Sequence, residues 1–536
     1  MDDHRRSRFE SLAAQAELIK AQLQASARQL GEARQSFARS KSEADRRRLA
    51  ERQAAAEALS EEFERLVQEM GEALDLTSEQ IEALGQPARP PGRLADLQRS
   101  ELTQDKVPPT ALIDDLLPAA LDRVKGLLPS GWLDADGLPG VSGKPLAGTD
   151  TCLSLVRGLR PESEFTTVQR MRQSIRAAEA FLADKPHYDH FAGATLVPQL
   201  MQLGEKIEAL KSVPGDIDDR WRKLWNGTND EVDSAMLELL VAGGCAELGR
   251  SVEFLEATHE SSPDLRCHDP FPLFIECKRK RPLGDYEIAE ERVMRSLFEK
   301  LHSEATRKGM TGLFQLRLSV EAPSAPADDI VAALVGQRLA PRPSKALAHP
   351  WGEVAYHELP RRAHLPRATR LYSPNMLMAT FGWETDLPEW DGLLCRIGND
   401  GEPVVGTVER PVGLAWANVS PGAIRQRTWS PINLFGTATK QMPPGTFGIV
   451  YLAYHEGARD EVADMRVQAF RERLVEWEHS TSIRIPIGFL SRLYPRPLGD
   501  GKPDLIESTV LFCSEAYGEP LLFEEFPATV FTSRPT

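Results

Sequence analysis

The sequence predicts a mixed α/β fold of the α+β type, in which a mixed sheet is flanked by helices. Three observations support this. Over residues 228–320 a helical pattern precedes three short strand patterns, a long amphipathic helix and a further strand. Residues 351–536 again alternate strand and helix patterns, and residues 1–85 carry apolar residues at helical spacing. This succession is typical of helices packed on a sheet and preceded by a helical extension.

The composition is that of a globular protein with several domains. The chain has 536 residues, of which 41% are hydrophobic and 27% are charged, and this length exceeds what one core usually holds. No apolar run is long enough to span a bilayer, and the first residues lack the apolar stretch of a secretory signal. The six cysteines are scattered without a C-x-x-C pair, which fits free thiols in a reducing compartment and argues against a zinc cluster. We therefore expect a cytoplasmic protein without a membrane segment.

Residues 1–85 predict a coiled coil or a helical hairpin. Their seam steps by fours and threes through Leu12, Ala16, Ile19, Leu23, Ser26, Leu30, Ala33 and Phe37. The pattern weakens over 40–48 and then returns. One long helix could pair with a second copy or with a protein partner, whereas a hairpin would fold on itself near 41–45. Both interpretations fit the sequence.

Residues 86–215 predict a linker and then a mainly helical region. The linker is the Pro-rich stretch 86–92, and the clearest helical patterns cover 166–185 and 197–211. No motif in this region points to a particular chemistry.

The central unit, 216–320, holds the candidate chemistry. A helix is predicted from Asp230 to about residue 246, then a strand over 251–255. Two short apolar runs follow, joined by the turn residues His268-Asp269-Pro270, and they predict an antiparallel hairpin. The hairpin would bring Asp264 near Glu276. A helix over 286–308 and a strand over 313–320 complete the unit.

Alternation along the second hairpin strand places Glu276 and Lys278 on one face. Together with Asp264, two carboxylates and one ammonium would then converge at a sheet edge. Carboxylate oxygens suit Mg²⁺, a hard cation that keeps several of its waters. A lysine beside such a metal can orient a water and offset charge that develops on a phosphate.

These residues resemble the core of the PD-(D/E)xK nuclease superfamily, which has a restriction-endonuclease-like fold. Pro263-Asp264 matches the first half of the motif and Glu276-Cys277-Lys278 the second, and the resemblance covers about 228–320. It implies a Mg²⁺- or Mn²⁺-dependent nuclease, with a DNA endonuclease as the main hypothesis. Asp264, Glu276 and the Cys277 backbone carbonyl would hold the metal, and Lys278 would position the attacking water.

The resemblance also implies a further acidic residue on the first helix of the core. Glu238 is the better match, because an apolar helix end and a strand pattern follow it, and Glu231 is the alternative.

The charge distribution is compatible with a polynucleotide held at one cleft. The net charge of −15 counts against a protein that coats nucleic acid non-specifically. A basic run nevertheless follows the motif and continues along the next predicted helix. The residues that we expect to contact substrate phosphates are Lys280, Arg281, Arg292 and Arg295.

The rest of the chain predicts an insertion and further α/β structure. Residues 321–350 are rich in Ala and Pro, with a short helix at 330–335. Residues 351–430 favour short strands at 391–397, 404–408 and 412–417. The end of the chain predicts helices at 433–441 and 461–477 and strands at 448–453, 483–490 and 509–513. Residues 351–536 could complete the central sheet or form a separate domain.

Two alternatives to a nuclease remain. The first is a nucleic-acid-binding module that keeps the fold without catalysis, although an intact Asp264, Glu276 and Lys278 argues against it. The second is an interaction or scaffold protein that acts through the coiled coil, which the negative net charge favours.

Overall fold

The structure is a computed structural model of the whole chain. It describes residues 65, 109–133, 150–160, 169–256, 262–269, 272–337, 346–366, 369–383, 389–398, 404–443, 446–456, 459–480, 484–497, 503–513 and 526–532. The predicted coiled coil or hairpin over 1–85 lies outside these residues, apart from Arg65, and so does the linker 86–92.

Ten α-helices form within the described residues. In chain order they are α1 (Pro109–Gly126), α2 (Arg170–Leu182), α3 (His190–Leu210), α4 (Ile217–Asn226), α5 (Asn229–Glu247), α6 (Asp285–Arg307), α7 (Ala327–Gly336), α8 (Pro374–Phe381), α9 (Pro421–Gln441) and α10 (Asp460–Ser480). None of these helices has a stretch that is both long and apolar enough to cross a membrane.

The described strands are short in the first half of the chain and longer in the second. They are β1 (Asp150–Val156), β2 (Val252–Phe254), β3 (Leu265–Cys267), β4 (Leu273–Arg279), β5 (Gly312–Leu318), β6 (Leu347–His349), β7 (Gly352–Glu358), β8 (Arg362–His364), β9 (Gly392–Gly398), β10 (Thr407–Asn418), β11 (Phe447–His455), β12 (Arg484–Pro497) and β13 (Pro503–Cys513).

The strands make two mixed sheets, so the predicted α+β class is confirmed at this level. The six-stranded sheet has the order β13-β12-β11-β4-β3-β2. In it β4, β11 and β12 are parallel, while β2–β3, β3–β4 and β12–β13 are antiparallel. The seven-stranded sheet has the order β1-β9-β10-β5-β7-β6, with β8 paired to β10.

The predicted hairpin is confirmed. Leu265 of β3 lies opposite Ile275 of β4, and β2 adds to the outer edge of β3. The strand predicted over 313–320 also forms, but as β5 it lies in the seven-stranded sheet, parallel to β10. The neighbour of β4 is instead β11, which is parallel to it. Sheet partners depend on distant segments, so the sequence order of elements alone did not identify this neighbour.

The six-stranded sheet is covered on both faces, which explains the apolar character of β4. One face packs with α3 and α5, where Leu273, Ile275 and Cys277 are buried. The other face packs with α9 and α10, where Val450 and Leu452 of β11 are buried. A parallel strand buried on both faces has a nearly continuous apolar sequence. An ionised residue in β4 is therefore a feature that needs a physical reason.

Helix α5 begins at a capping box that the sequence encodes locally. The Thr228 side chain accepts a hydrogen bond from the Glu231 backbone, and the Glu231 carboxylate accepts one from the Thr228 backbone N–H at 2.7 Å. This arrangement satisfies backbone donors at the start of the helix. The cap fixes the start of α5 and hence the position of Glu238 two turns later.

Several elements are longer than predicted. Helix α9 starts at Pro421 rather than near 433, with Ser420 as its N-cap and Pro431 inside it. Strand β10 joins two predicted strands through a register shift between Glu409 and Val412. Strands β1 and β7 were not predicted. Proline and glycine residues interrupted the hydrophobic patterns from which α9 and β10 were predicted. Side-chain packing in the folded protein maintains both elements in spite of these residues.

Candidate active site

Asp264 and Glu276 lie next to each other on the hairpin. Because Leu265 pairs with Ile275, Asp264 falls opposite Glu276 just before β3 begins. The Cys277 backbone N–H donates to Asp264 Oδ2 at 2.8 Å. The N–H and C=O of one strand residue point to the same side, so the Cys277 carbonyl also points toward Asp264. These are the three groups that the sequence assigned to the metal.

Glu276 is the most unusual residue of the site. Its side chain is fully buried, and its carboxylate oxygens make no well-aligned hydrogen bond with the described residues, although the Lys278 ammonium and the Asp264 backbone N–H lie close to them. Its one charge partner among the described residues is the Lys278 ammonium, which forms an ion pair with Oε1. Lys278 follows two residues later on the same face of β4, and its side chain is 21% exposed. A buried carboxylate normally accepts several well-aligned hydrogen bonds, so the protein satisfies the Glu276 carboxylate poorly.

Glu238 of α5 completes an acidic cluster with Asp264 and Glu276. Its side chain is buried, and the Arg220 guanidinium of α4 donates to its Oε2 at 2.9 Å. Glu231, the alternative candidate, is exposed and serves in the capping box of α5. The structure therefore places Glu238, and not Glu231, beside the hairpin carboxylates.

The three carboxylates all bind protons more tightly than usual. Burial raises the pKa of Glu238 to about 7, and the Asp264 carboxylate adds to this. Burial also raises the pKa of Asp264 to about 7, with a further contribution from Glu276. Asp264 is half-buried as a residue, but protein groups enclose its carboxylate.

Glu276 also binds its proton more tightly than an exposed glutamate does. Burial raises its pKa to about 7, although Lys278 opposes the rise, and Glu238 contributes to it. Burial lowers the pKa of Lys278, but the Glu276 carboxylate outweighs that effect, so the pKa of Lys278 is raised overall. Three carboxylates thus share two main cationic neighbours, Arg220 and Lys278, and Lys223 adds a smaller effect on Glu238. The cluster is short of positive charge once all of its members are ionised.

The residues suit a divalent cation that keeps part of its water shell. Among the described residues no three His, Cys, Asp or Glu side chains converge as a ready-made metal cage. Mg²⁺ is usually held by only one or two carboxylates, with waters and substrate oxygens completing the octahedron. Asp264 and Glu276 meet that requirement, and the poorly satisfied carboxylate of Glu276 is where a cation would be expected.

Stabilisation by Mg²⁺ should grow as the pH rises through about 7. A carboxyl group whose folded pKa is raised stabilises the protein below its unfolded pKa, and this stability is lost as the pH rises through the folded pKa. Since the folded values here are about 7, protons compete with the metal below that pH. We expect Mg²⁺ to raise the Tm more at about pH 8 than at about pH 6. A Tm shift that is equal at both pH values would contradict the cluster.

The predicted phosphate-contacting residues do not form one exposed surface. Lys280 is buried, and its ammonium lies 3.6 Å from Glu287. Burial lowers its pKa to about 8. Lys280 is therefore buried inside the protein, where its ammonium is not accessible to a substrate phosphate. The basic run looked continuous in sequence, but the chain turns into the protein directly after β4.

The other three basic residues are accessible to different degrees. Arg281 is exposed and pairs with Asp230 and Asp285. Arg292 is exposed on α6, and Arg295 is half-buried beside Glu291. Their role in substrate binding stays a prediction.

Two arginines near the cluster were not found from the sequence. Arg220 faces Glu238, and Arg266 of β3 lies opposite Phe274 of β4. Arg266 is two residues after Asp264, so both side chains are on the same face of the sheet. Its side chain is 43% exposed, and Glu253 lies 3.9 Å away. Strand alternation from Asp264 would have indicated Arg266. Arg220 could not be found in this way, because no sequence pattern shows that α4 packs beside Glu238.

Comparison of the chain with protein-family models, with curated proteins and with solved structures finds no match.

Proposed function

We propose that this protein is a metal-dependent nuclease of the PD-(D/E)xK type, most simply a DNA endonuclease. One observation carries the proposal. A fully buried glutamate, Glu276, makes no well-aligned hydrogen bond with the described residues and lies beside Asp264, Glu238 and Lys278. A buried carboxylate that accepts so few hydrogen bonds destabilises the folded protein. Buried groups of this kind, with a strongly shifted pKa, are typical of catalytic sites.

The order of elements around the site also supports this family. Helix α5 and strands β2, β3 and β4 follow one another directly, and the next strand in the sheet, β11, is parallel to β4. Helix α9 precedes β11 and packs on both β4 and β11. With the segment between β4 and α9 treated as an insertion, the sheet has the α-β-β-β-α-β order of the resemblance.

Each residue then has a role in phosphodiester hydrolysis. Asp264, Glu276 and the Cys277 carbonyl would hold the divalent cation, which stabilises the negative charge that develops on the phosphate. Lys278 donates to the attacking water and keeps it in line with the phosphorus. The Arg220 guanidinium partly neutralises Glu238. Glu238 would add negative charge to the cluster and would leave the position of the substrate open.

A cleavage assay tests the function directly. The purified full chain is incubated with supercoiled plasmid, single-stranded DNA and RNA, each with Mg²⁺, with Mn²⁺ and with EDTA. We expect cleavage of DNA with either metal and none with EDTA. Binding of nucleic acid without cleavage in any metal would favour a catalytically silent binding module. Neither binding nor cleavage would favour an interaction protein.

Arg266 is expected to contact the substrate backbone beside the scissile phosphate. It lies about 7 Å along the strand from Asp264, at two residues of strand rise, and its side chain is partly exposed. An Arg266→Met variant should bind DNA more weakly, with a salt slope smaller by about one.

Arg362→Met is the matched control, because Arg362 is also on a short strand with a glutamate at 3.9 Å but lies in the seven-stranded sheet. Fluorescence anisotropy over a range of salt concentrations measures both slopes. Equal slopes in the two variants would exclude a phosphate contact by Arg266.

A further inference from the structure

A second polar site lies on the opposite face of β4 from Glu276 and Lys278. Arg279 directly follows Lys278 in sequence, so its side chain points to the other face of the sheet. Ala453 pairs with Arg279, and His455 follows two residues later on the same face of β11. Arg279 Nη2 and His455 Nε2 are 2.9 Å apart. Both residues stand at the carboxyl ends of parallel strands, where open α/β sheets commonly bind ligands.

The hydrogen-bonding roles of this pair can be assigned. Arginine only donates hydrogen bonds, so Nε2 of His455 must accept. Burial, reinforced by the charge of Arg279, lowers the pKa of His455 well below its usual value, and the ring is therefore neutral. The proton of a neutral ring that accepts at Nε2 is on Nδ1. His455 thus presents an N–H donor at Nδ1.

Two buried donors at this place have no acceptor among the described residues. They are Arg279 Nη1 and His455 Nδ1, and the His455 side chain is 1% exposed. Asp233 of α5 is nearby, but it lies 3.6 Å from the guanidinium of Arg170. Buried donors are rarely left unsatisfied. The missing partner must be an acceptor, and beside two arginines an anionic acceptor is favoured.

A cleft gives access to these donors. Arg279, His455, Arg170, Asp233, Ser174 and Gln199 are among the residues that line a cavity of about 10 Å³, so the two arginines outnumber the one carboxylate. A second cavity of about 40 Å³ shares Arg170 with it and extends to Arg160. At about one water-sized group per 10–15 Å³, the first cavity holds roughly one such group and the second roughly three. A tetrahedral oxyanion would therefore place one oxygen against Arg279 and His455 and its other oxygens in the second cavity.

We propose that this cleft binds a phosphate group, either free inorganic phosphate or the terminal phosphate of a nucleotide. Arg279 and His455 would donate to its oxygens, and Arg170 would contribute charge. Ser174 and Gln199 would add neutral hydrogen bonds. The site is separate from Glu276 and Lys278, because the backbone of β4 lies between them.

Isothermal titration calorimetry tests the proposal on the full chain, with EDTA present so that no metal carries phosphate to the acidic cluster. Inorganic phosphate and a nucleoside 5′-monophosphate are titrated in parallel, against chloride at the same ionic strength. We expect saturable binding of one phosphate per chain. Tighter binding of the nucleotide would identify a nucleotide as the source, and equal binding would identify free phosphate.

Three variants locate the binding. Arg279→Met should weaken phosphate binding tenfold or more, and Arg279→Lys, which keeps the charge, should weaken it less. Arg307→Met removes an exposed arginine of α6 that lines neither cavity, and it should leave binding unchanged. Glu276→Gln should also leave it unchanged, so a failed nuclease proposal would not affect this result.

The proposal is overturned if the wild-type protein shows no saturable phosphate binding. It is also overturned if Arg279→Met, verified as folded by circular dichroism, binds phosphate like the wild type. If Arg279→Met fails to fold, Arg279→Lys decides. Wild-type affinity in both Arg279→Lys and Arg307→Met, together with competition by chloride, would show that the binding is a general charge effect and would overturn the proposal.

Discussion

A Glu276→Gln variant is expected to lose metal-dependent cleavage by more than about 100-fold, since even indirect partners of a metal contribute 10–100-fold. Glutamine keeps the shape of the side chain but removes the charge that would hold the cation. The control is Glu253→Gln, because Glu253 is a partly exposed carboxylate of β2, on the same sheet edge and outside the cluster. Its cleavage rate should match that of the wild type. Equal activity in both variants would remove Glu276 from the site.

The same substitution should stabilise the metal-free protein. At about pH 8 the buried Glu276 carboxylate is ionised against a pKa of about 7, and this ionisation opposes folding. Glutamine abolishes that cost, so the free energy of unfolding in urea should rise by roughly 1–3 kcal/mol. Below about pH 5 the gain should vanish, because the wild-type carboxyl group is then protonated. Loss of activity together with a gain in stability would exclude misfolding as the cause.

A Lys278→Met variant should lose about 100-fold or more in kcat while it still binds metal and DNA. Removing one positioned donor to developing charge typically costs 10²–10³-fold. The residual activity should require a higher pH, because Glu276 loses the neighbour that opposes its raised pKa. Lys300→Met is the control, since Lys300 is an exposed lysine of α6 that pairs with Asp328. Loss of DNA binding instead of kcat would make Lys278 a phosphate clamp.

The hairpin and its charged residues could be predicted because the information is local. Strand alternation and a short turn are encoded within fifteen residues, and they determine that Asp264 meets Glu276. The helix that carries Glu238 was predicted from its local apolar pattern, although its N-cap is Thr228 and not Asp230. The fold class needed only the succession of helix and strand patterns.

The rest depended on contacts between distant segments. Strand β11 lies beside β4 although more than 160 residues separate them, and β5 joins the other sheet. Arg220 reaches Glu238 because α4 packs on α5. Lys280 was misassigned for the same reason, since a run of basic residues gives no sign of which one turns inward toward Glu287.

Metal binding itself tests the central claim most directly. Mn²⁺ is titrated calorimetrically at about pH 8, where the three carboxylates are ionised, into the wild type, Glu276→Gln and Glu253→Gln. If Asp264 and Glu276 hold the cation, the wild type and Glu253→Gln bind Mn²⁺ with the same affinity and Glu276→Gln does not bind it. Unchanged Mn²⁺ binding by Glu276→Gln, or no binding by the wild type, would contradict the proposed metal site.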